Sequence, residues 1–191
     1  MINEALSYIA QDLDTFLKRK YNSQESRVHL GSIMDIDGSV PEESRNKIIM
    51  TLINIEQETT VSTTQYGYKQ GNTFHKTRAP LRFNLDLVFS GLFNQYNESL
   101  KFISDTILFF QAKPFFNAQN SPGLPEEVSQ LSLEVLKYNL NEMHSLWTSL
   151  GVKYIPSVPF KLRLMTFQSQ QIIEHVAAMQ TQGVEVLPQI R

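Results

Sequence analysis

Leu81, Phe83, Leu85, Leu87 and Phe89 alternate with Arg82, Asn84, Asp86 and Val88. Successive side chains on a strand point to opposite faces, so this run gives one strongly apolar face and one largely polar face. A helix would scatter the same residues around its circumference. A strand of this kind is not stable alone. Its backbone needs pairing partners and its apolar face needs a covering layer. The chain must therefore build a sheet and pack something on it.

The covering layer is also legible. Ile2, Leu6, Ile9, Leu13, Phe16 and Leu17 recur at steps of three and four, the spacing of an amphipathic helix. Lys18, Arg19 and Lys20 follow in its last turn, where positive charge suits the helix dipole. Tyr96, Leu100, Ile103, Ile107 and Phe110 predict a helix over 95–112 with those residues as its inner face, stopped by Pro114. A brief helix carries Leu146, Trp147 and Leu150, with Asn141 as its cap and Gly151 as its stop. A further helix is predicted over 168–180 on Ile172, Val176 and Met179.

Other segments read as strands. Val28, Leu30, Ser32 and Met34 alternate with His29, Gly31 and Ile33. Residues 47–58 are rich in β-branched side chains, and both faces of the first half are apolar, as in a strand covered on both sides. Leu131, Leu133 and Val135 alternate briefly, and 158–167 forms a longer strand. Residues 35–43 read as a polar turn, and 114–126 as a loop holding Pro114, Pro122 and Pro125. The order predicts an α+β fold: one mostly antiparallel sheet with helices packed on it, as a single domain over 1–191.

Residues 59–79 stand apart. The stretch is polar, carries Lys69, His75, Lys76 and Arg78, and has no acid. It holds the isolated aromatics Tyr66, Tyr68 and Phe74. A loop of this length inside a domain is usually functional or disordered. The alternative is an extended β-hairpin arm turning at Gly67 or Gly71, since Thr and Tyr favour strands. The end of the chain, 184–191, reads as an extended tail.

Composition removes whole classes of function. Hydrophobic residues make up 41% of the 191 residues, enough for a core without covalent staples. Cysteine is absent, which excludes disulfides, thiol catalysis and thiolate metal sites. The net charge of -2 argues against general nucleic-acid binding. No apolar run approaches the roughly 20 residues of a spanning helix. The first residues lack the basic segment of a signal peptide, so the expected compartment at synthesis is the cytoplasm.

Motifs for chemistry are missing. Phosphate-binding glycine loops, the paired-histidine zinc motif and the nucleophile elbow do not occur. His29, His75, His144 and His175 never pair at helical spacing. Asp35, Asp37 and Ser39 begin like a calcium loop, but Val40 stands where glycine is required and Asn46 where the bidentate Glu belongs. Glu42–Glu43 and Glu126–Glu127 fit turn or helix starts. Trp147 is expected in the core. The expectation is a non-enzyme with no catalytic, cofactor or metal residues.

Four segments, in order, resemble a known family. Leu146, Trp147, Leu150, Tyr154, Pro156 and Ser157 follow its late L-W-x-x-L-x-x-x-Y-x-P-S segment. Leu52, Asn54, Ile55, Glu56 and Glu58 follow its L-x-N-I-E-x-E strand. Residues 80–87 resemble the strand that precedes its second helix, and residues 1–6 its opening helix. Ile155 replaces the usual Arg and Phe160 the usual Tyr, and the chain after Phe167 matches poorly. The family is that of the cap or tail-terminator proteins of extracellular contractile injection systems, phage-tail-like particles.

The resemblance implies a structural protein. Copies would form a hexameric ring that ends the inner tube and sheath, with the tube protein, the sheath protein and other copies as partners. It implies no cofactor, nucleic acid or membrane partner, assembly in the cytoplasm, and a particle that can be released outside the cell. A tube or baseplate adaptor of the same particle, or a non-catalytic binding module, are the alternatives. On this reading the arm is the contact element. Tyr66, Tyr68 and Phe74 would anchor it, and Lys69, Lys76 and Arg78 would meet acidic groups.

Overall fold

The computed structural model describes residues 2–58, 66–70, 73–77, 81–125, 128, 130–167 and 172–177. Its helices are α1 (Ile2–Tyr21), α2 (Tyr96–Ala112) and α3 (Leu140–Leu150). Its strands are β1 (Val28–Leu30), β2 (Lys47–Gln57), β3 (Tyr66–Gln70), β4 (Thr73–Thr77), β5 (Leu81–Leu92), β6 (Phe115–Asn117), β7 (Gln130–Val135), β8 (Ser157–Phe167) and β9 (Ile172–Ala177). They form two compact units. One comprises Met1–Glu58 with Arg82–Thr166, the other Thr59–Leu81 with Phe167–Arg191.

The larger unit is built on a six-stranded sheet in the order β1-β2-β5-β8-β7-β6. β2 pairs with β5, β6 with β7, and β7 with β8, all antiparallel. β1 adds a parallel edge, with Val28 opposite Ile48. The predicted α+β class, with a mostly antiparallel sheet and packed helices, is borne out.

β5 is more buried than its alternation predicts. Residues 84–91 are all buried, on both faces. Phe89 meets Phe110 of α2 at 5.0 Å and Phe160 of β8 at 5.5 Å between ring centres. Phe110 and Phe160 close this aromatic triangle at 5.0 Å. The neighbouring Val88 points the other way, into a cluster with Ile33, Ile49 and Trp147 of α3. The polar parity of β5 therefore faces a second layer, not solvent. Trp147 is core, as expected, at 4% exposure.

α1 and α2 lie together on the Phe89 side. α1 buries Leu6, Ile9, Leu13 and Leu17, largely the predicted stripe. Phe16 packs on Phe109 and Tyr8 on Phe116. Asp14 of α1 fixes the start of β1. Its Oδ1 accepts from the Arg27 N–H at 2.6 Å and the Val28 N–H at 3.1 Å. The helix ends in a Schellman turn. The Ser23 N–H bonds the Lys18 carbonyl, the Asn22 N–H bonds that of Arg19, and Asn22 takes φ of 48°. Just before it, Lys20 and the Tyr21 hydroxyl both bond the buried carboxylate of Asp105 in α2.

Five expectations change. α2 does not bury Tyr96, Leu100 and Ile107, which are exposed; Phe102, Ile103, Phe109 and Phe110 face the core. Aromatic bulk won over the spacing of the longer apolar series. The expected loop at 114–126 begins with β6, because Phe116 is wholly buried and its neighbours pair with β7. The strand expected over 28–34 ends at Leu30. The chain then turns so that Ile33 can reach the α3 cluster. α3 is capped by Asn139, not Asn141.

The fifth correction lies in the smaller unit. The helix predicted over 168–180 is instead β9 where it is described. Ile172, Ile173 and Val176 are β-branched, and β9 finds an antiparallel partner in β4. β3 and β4 form the hairpin alternative for 59–79, with Gln70 opposite Thr73 and only Gly71 and Asn72 between them. The second sheet is β3-β4-β9. The tail 184–191 lies outside the described residues.

Two outcomes follow for stability. Phe110→Ala empties the centre of the aromatic triangle and is expected to cost about 3–5 kcal/mol in urea unfolding. The Tyr21 phenol has its pKa raised above its ordinary 10.0, first by burial and then by Asp105. The folded protein thus keeps this proton to higher pH than the unfolded chain. The associated stability is whole below about pH 10 and is lost as the pH climbs through the folded pKa. Tyr21→Phe is expected to flatten that alkaline decline, read as melting temperature between pH 8 and 11.5.

Candidate functional site

α3 shapes the first candidate surface. Asn139 caps it in a full capping box. Its Oδ1 accepts from the N–H groups of Asn141 and Glu142, and Glu142 Oε2 accepts from the Asn139 N–H at 2.7 Å. Gly151 ends it at φ of 69°, where other residues are strained. The chain then doubles back, so Tyr154 packs edge-on against Trp147 at 5.6 Å. Between the helix and this return lies a largely apolar groove of about 610 Å³, lined by Leu140, Met143, Trp147, Val152 and Tyr154, with His144 and Thr148 as its polar members. Leu140 is 88% exposed at its rim.

The second surface is on the far side of the sheet. Tyr96, Leu100, Ile107 and Leu108 of α2 are exposed. A shallower pocket of about 430 Å³ adjoins Ile107, between α2 and Leu133 and Val135 of β7. Sequence reasoning missed this surface because it assigned Tyr96, Leu100 and Ile107 to the core. The usable signal was the competing series Phe102, Phe109 and Phe110, which holds more apolar area.

The third feature is a polar belt on the α3 side of β2, β5 and β8. Lys161 Nζ lies 2.8 Å from Glu56 and 3.4 Å from Asp86. Asn54 donates to Asp86 at 3.1 Å, and Asn84 to Glu58 at 3.0 Å. The hydrogen bond to Glu56 leads in raising the Lys161 pKa above its ordinary value, with Asp86 adding to it. Burial first, and then Asp86, raises the Tyr138 phenol. An amine held more firmly protonated is a poorer nucleophile and base. The belt neutralises Asp86, which is buried, and braces three strands. Among the described residues no cluster of His, Cys, Asp and Glu is placed to hold a metal ion.

The predicted contact residues fall in the smaller sheet. Register sets Tyr66 opposite Thr77, Tyr68 opposite His75, Gly67 opposite Lys76 and Lys69 opposite Phe74. Tyr66 and Tyr68 thus occupy positions of one face. Lys69, Phe74 and Lys76 occupy positions of the other. The five described candidates divide between these two sets of positions, and Arg78 lies outside the described residues. Neither α2 nor α3 had been a candidate in the sequence.

The sequence matches the Pvc16 N-terminal domain family over residues 8–180. The chain belongs to that family. Its fold is similar to a PVC sheath/tube terminator of an extracellular contractile injection system in the extended state. That TM-score is 0.56 at 13% identity, over 96% of this chain and 63% of that one. It is also similar to the tube-terminating cap of the anti-feeding prophage, with a TM-score of 0.58 at 12% identity, over 100% of this chain and 60% of that one. The chain thus spans under two thirds of the length of either protein. Comparison with curated proteins finds no match. The resemblance read from the sequence is borne out at the level of family and fold. Among the described residues no helix is long and apolar enough to cross a membrane.

Lys161→Met tests the belt. It removes the ammonium beside Oδ1 of buried Asp86 and leaves the Asn54 amide donating to Oδ2. The expected loss is about 1.5–3 kcal/mol, the usual worth of a hydrogen bond to a charged group, measured by urea unfolding at pH 7.

Proposed function

We propose that this chain is a cap, or tail terminator, of a contractile injection particle. In this reading copies join into a hexameric ring that ends the inner tube and the sheath. The observation that carries it is the likeness of essentially the whole chain to a sheath/tube terminator and to a tube-terminating cap. Family membership over residues 8–180 supports the same reading.

The physical requirements of the task agree with the architecture. A terminator needs a stiff body and several adhesive faces. The body is supplied by a sheet covered on both sides and braced by the Asp105 and Lys161 clusters. The task calls for no catalysis, and the role is structural. Assembly begins in the cytoplasm, and the finished particle carries the protein with it.

The 59–79 segment is the proposed contact to the tube or to a neighbouring subunit. Tyr66 and Tyr68 would serve one partner from one face of the β3–β4 hairpin. Lys69, Phe74 and Lys76, with Arg78 beyond them, would serve another. Aromatic anchors and basic side chains on a hairpin suit docking against a partly acidic surface.

The test is the mass of the full chain, alone and with assembled tube and sheath. A hexamer, or six-fold rings at particle ends, is expected. A chain that stays monomeric and binds neither component overturns the cap reading. Tyr66→Ala with Tyr68→Ala is expected to weaken binding to the tube about tenfold or more, as interface aromatics do. Unchanged binding removes those residues from the interface.

A further inference from the structure

β7 and β8 are adjacent and antiparallel, with Val135 opposite Phe160, yet residues 136–156 run between them. A tight hairpin can join such strands, so the sheet itself does not need this excursion. α3 lies on it. Two backbone hydrogen bonds tie its ends to the sheet. The Leu136 N–H donates to the Pro159 carbonyl at 3.0 Å, and the Gly91 N–H donates to the Pro156 carbonyl at 2.9 Å.

Between those points the excursion is bonded to itself. The capping box joins Asn139 and Glu142, the Thr148 hydroxyl donates to the His144 carbonyl, and the Ser149 hydroxyl donates to the Leu146 carbonyl. Tyr154 packs on Trp147 within the same segment. Among the described residues, none of 139–155 makes a hydrogen bond or ion pair to the rest of the larger unit.

What seats the segment is apolar. Trp147 is the one buried residue of α3, and it packs with Ile33, Ile49 and Val88. Met143, Leu146, Leu150, Val152 and Ile155 join that cluster only half-buried. The indole N–H of Trp147 has no hydrogen-bond partner in the protein, so even this anchor holds by packing. The other two helices differ. α1 buries six residues and α2 seven. Lys20 and Tyr21 bond Asp105 of α2, and Lys113 Nζ reaches Asp12 of α1 at 2.7 Å.

We propose that 139–155 is a flap with Trp147 as its latch. It lifts from the sheet as one unit, hinged at 136–138 and at Pro156, while α1, α2 and the six-stranded sheet stay folded. Elements with few buried apolar contacts are the ones that open below the cost of global unfolding. The bonds at Leu136 and Pro156 lie outside the flap, so its opening leaves the β7–β8 and β5–β8 pairings intact. Opening uncovers Ile33, Ile49 and Val88, the seat of the latch. The chain thus has a second state on the α3 side that does not disturb the α1–α2 side. The proposal stands independently of the cap reading.

The test is hydrogen exchange of the full chain under native conditions, read by mass spectrometry. A detached helix of eleven residues is marginal in water, so each opening lets the α3 amides exchange. Peptides from 140–150 are expected to exchange at least about tenfold faster than those of β5 and α2, after correction for intrinsic rates. Leu150→Ala trims a half-buried contact of the seat. It is expected to speed exchange in 140–150 by about tenfold and leave β5, α1 and α2 unchanged. Met143→Ala serves if that variant does not fold. Trp147 is the sole tryptophan, so its quenching by acrylamide follows the same opening and is expected to rise in the variant.

Equal exchange in α3 and β5 would mean that α3 opens only with the whole unit, and overturns the proposal. A rise by the same factor in every peptide of the variant does the same. Fast exchange in 140–150 that neither variant alters, with quenching unchanged, would show a helix fraying over a closed latch and also overturns it.

Discussion

Val88 and Phe89 are neighbours in the chain and belong to different cores. Most of the larger unit follows from that division. Phe89 gathers α2 and β8 into an aromatic triangle on one side. Val88 gathers β2, the segment after β1 and α3 on the other. A strand buried on both faces has no solvent for its polar side chains. Two of those on β5 are met from β2 and the residue after it, Asp86 by Asn54 and Asn84 by Glu58. The belt that includes Lys161 is a consequence of burying β5.

The same logic explains the charges on the helices. Asp105 sits in the α1–α2 interface, where an unpaired carboxylate would be costly. It is met by an ammonium and a phenol from the last turn of α1. Asp14, one end of an ion pair with Lys18, also holds the backbone that enters β1. These groups stiffen the joints between elements. The Tyr21 phenol, held protonated by burial and by Asp105, reports on that packing.

Two apolar surfaces lie outside these joints. The groove behind Trp147 is formed by a helix that ends early at Gly151 and a chain that folds back over it. The ridge on α2 is the remainder of a helix whose aromatic face was taken by the core. Both arise from how the elements pack, and both are apolar. The hairpin of the smaller unit adds aromatic and basic positions on separate faces. On the proposed cap reading, such a molecule would meet its partners with faces and edges.

The sequence by itself settled what local physics controls. Period-two runs named β5, β7 and β8, a β-branched run apolar on both faces named β2, steps of three and four named α1 and α2, and Gly151 marked the end of α3. Ordered motifs pointed to the family. The hairpin at 66–77 was one of two readings, open because Thr, Tyr and Gly serve loops and strands alike. Tertiary structure decided the rest. Which face of α2 is inner depended on where Phe89 and Phe160 stood, and period alone could not choose between two apolar series. β6 exists because Phe116 finds a core from across a proline-bounded turn. β9 is a strand because β4 offers it an edge, a long-range partner that no local pattern records. The ridge and the groove were invisible for the same reason: they are what packing leaves uncovered.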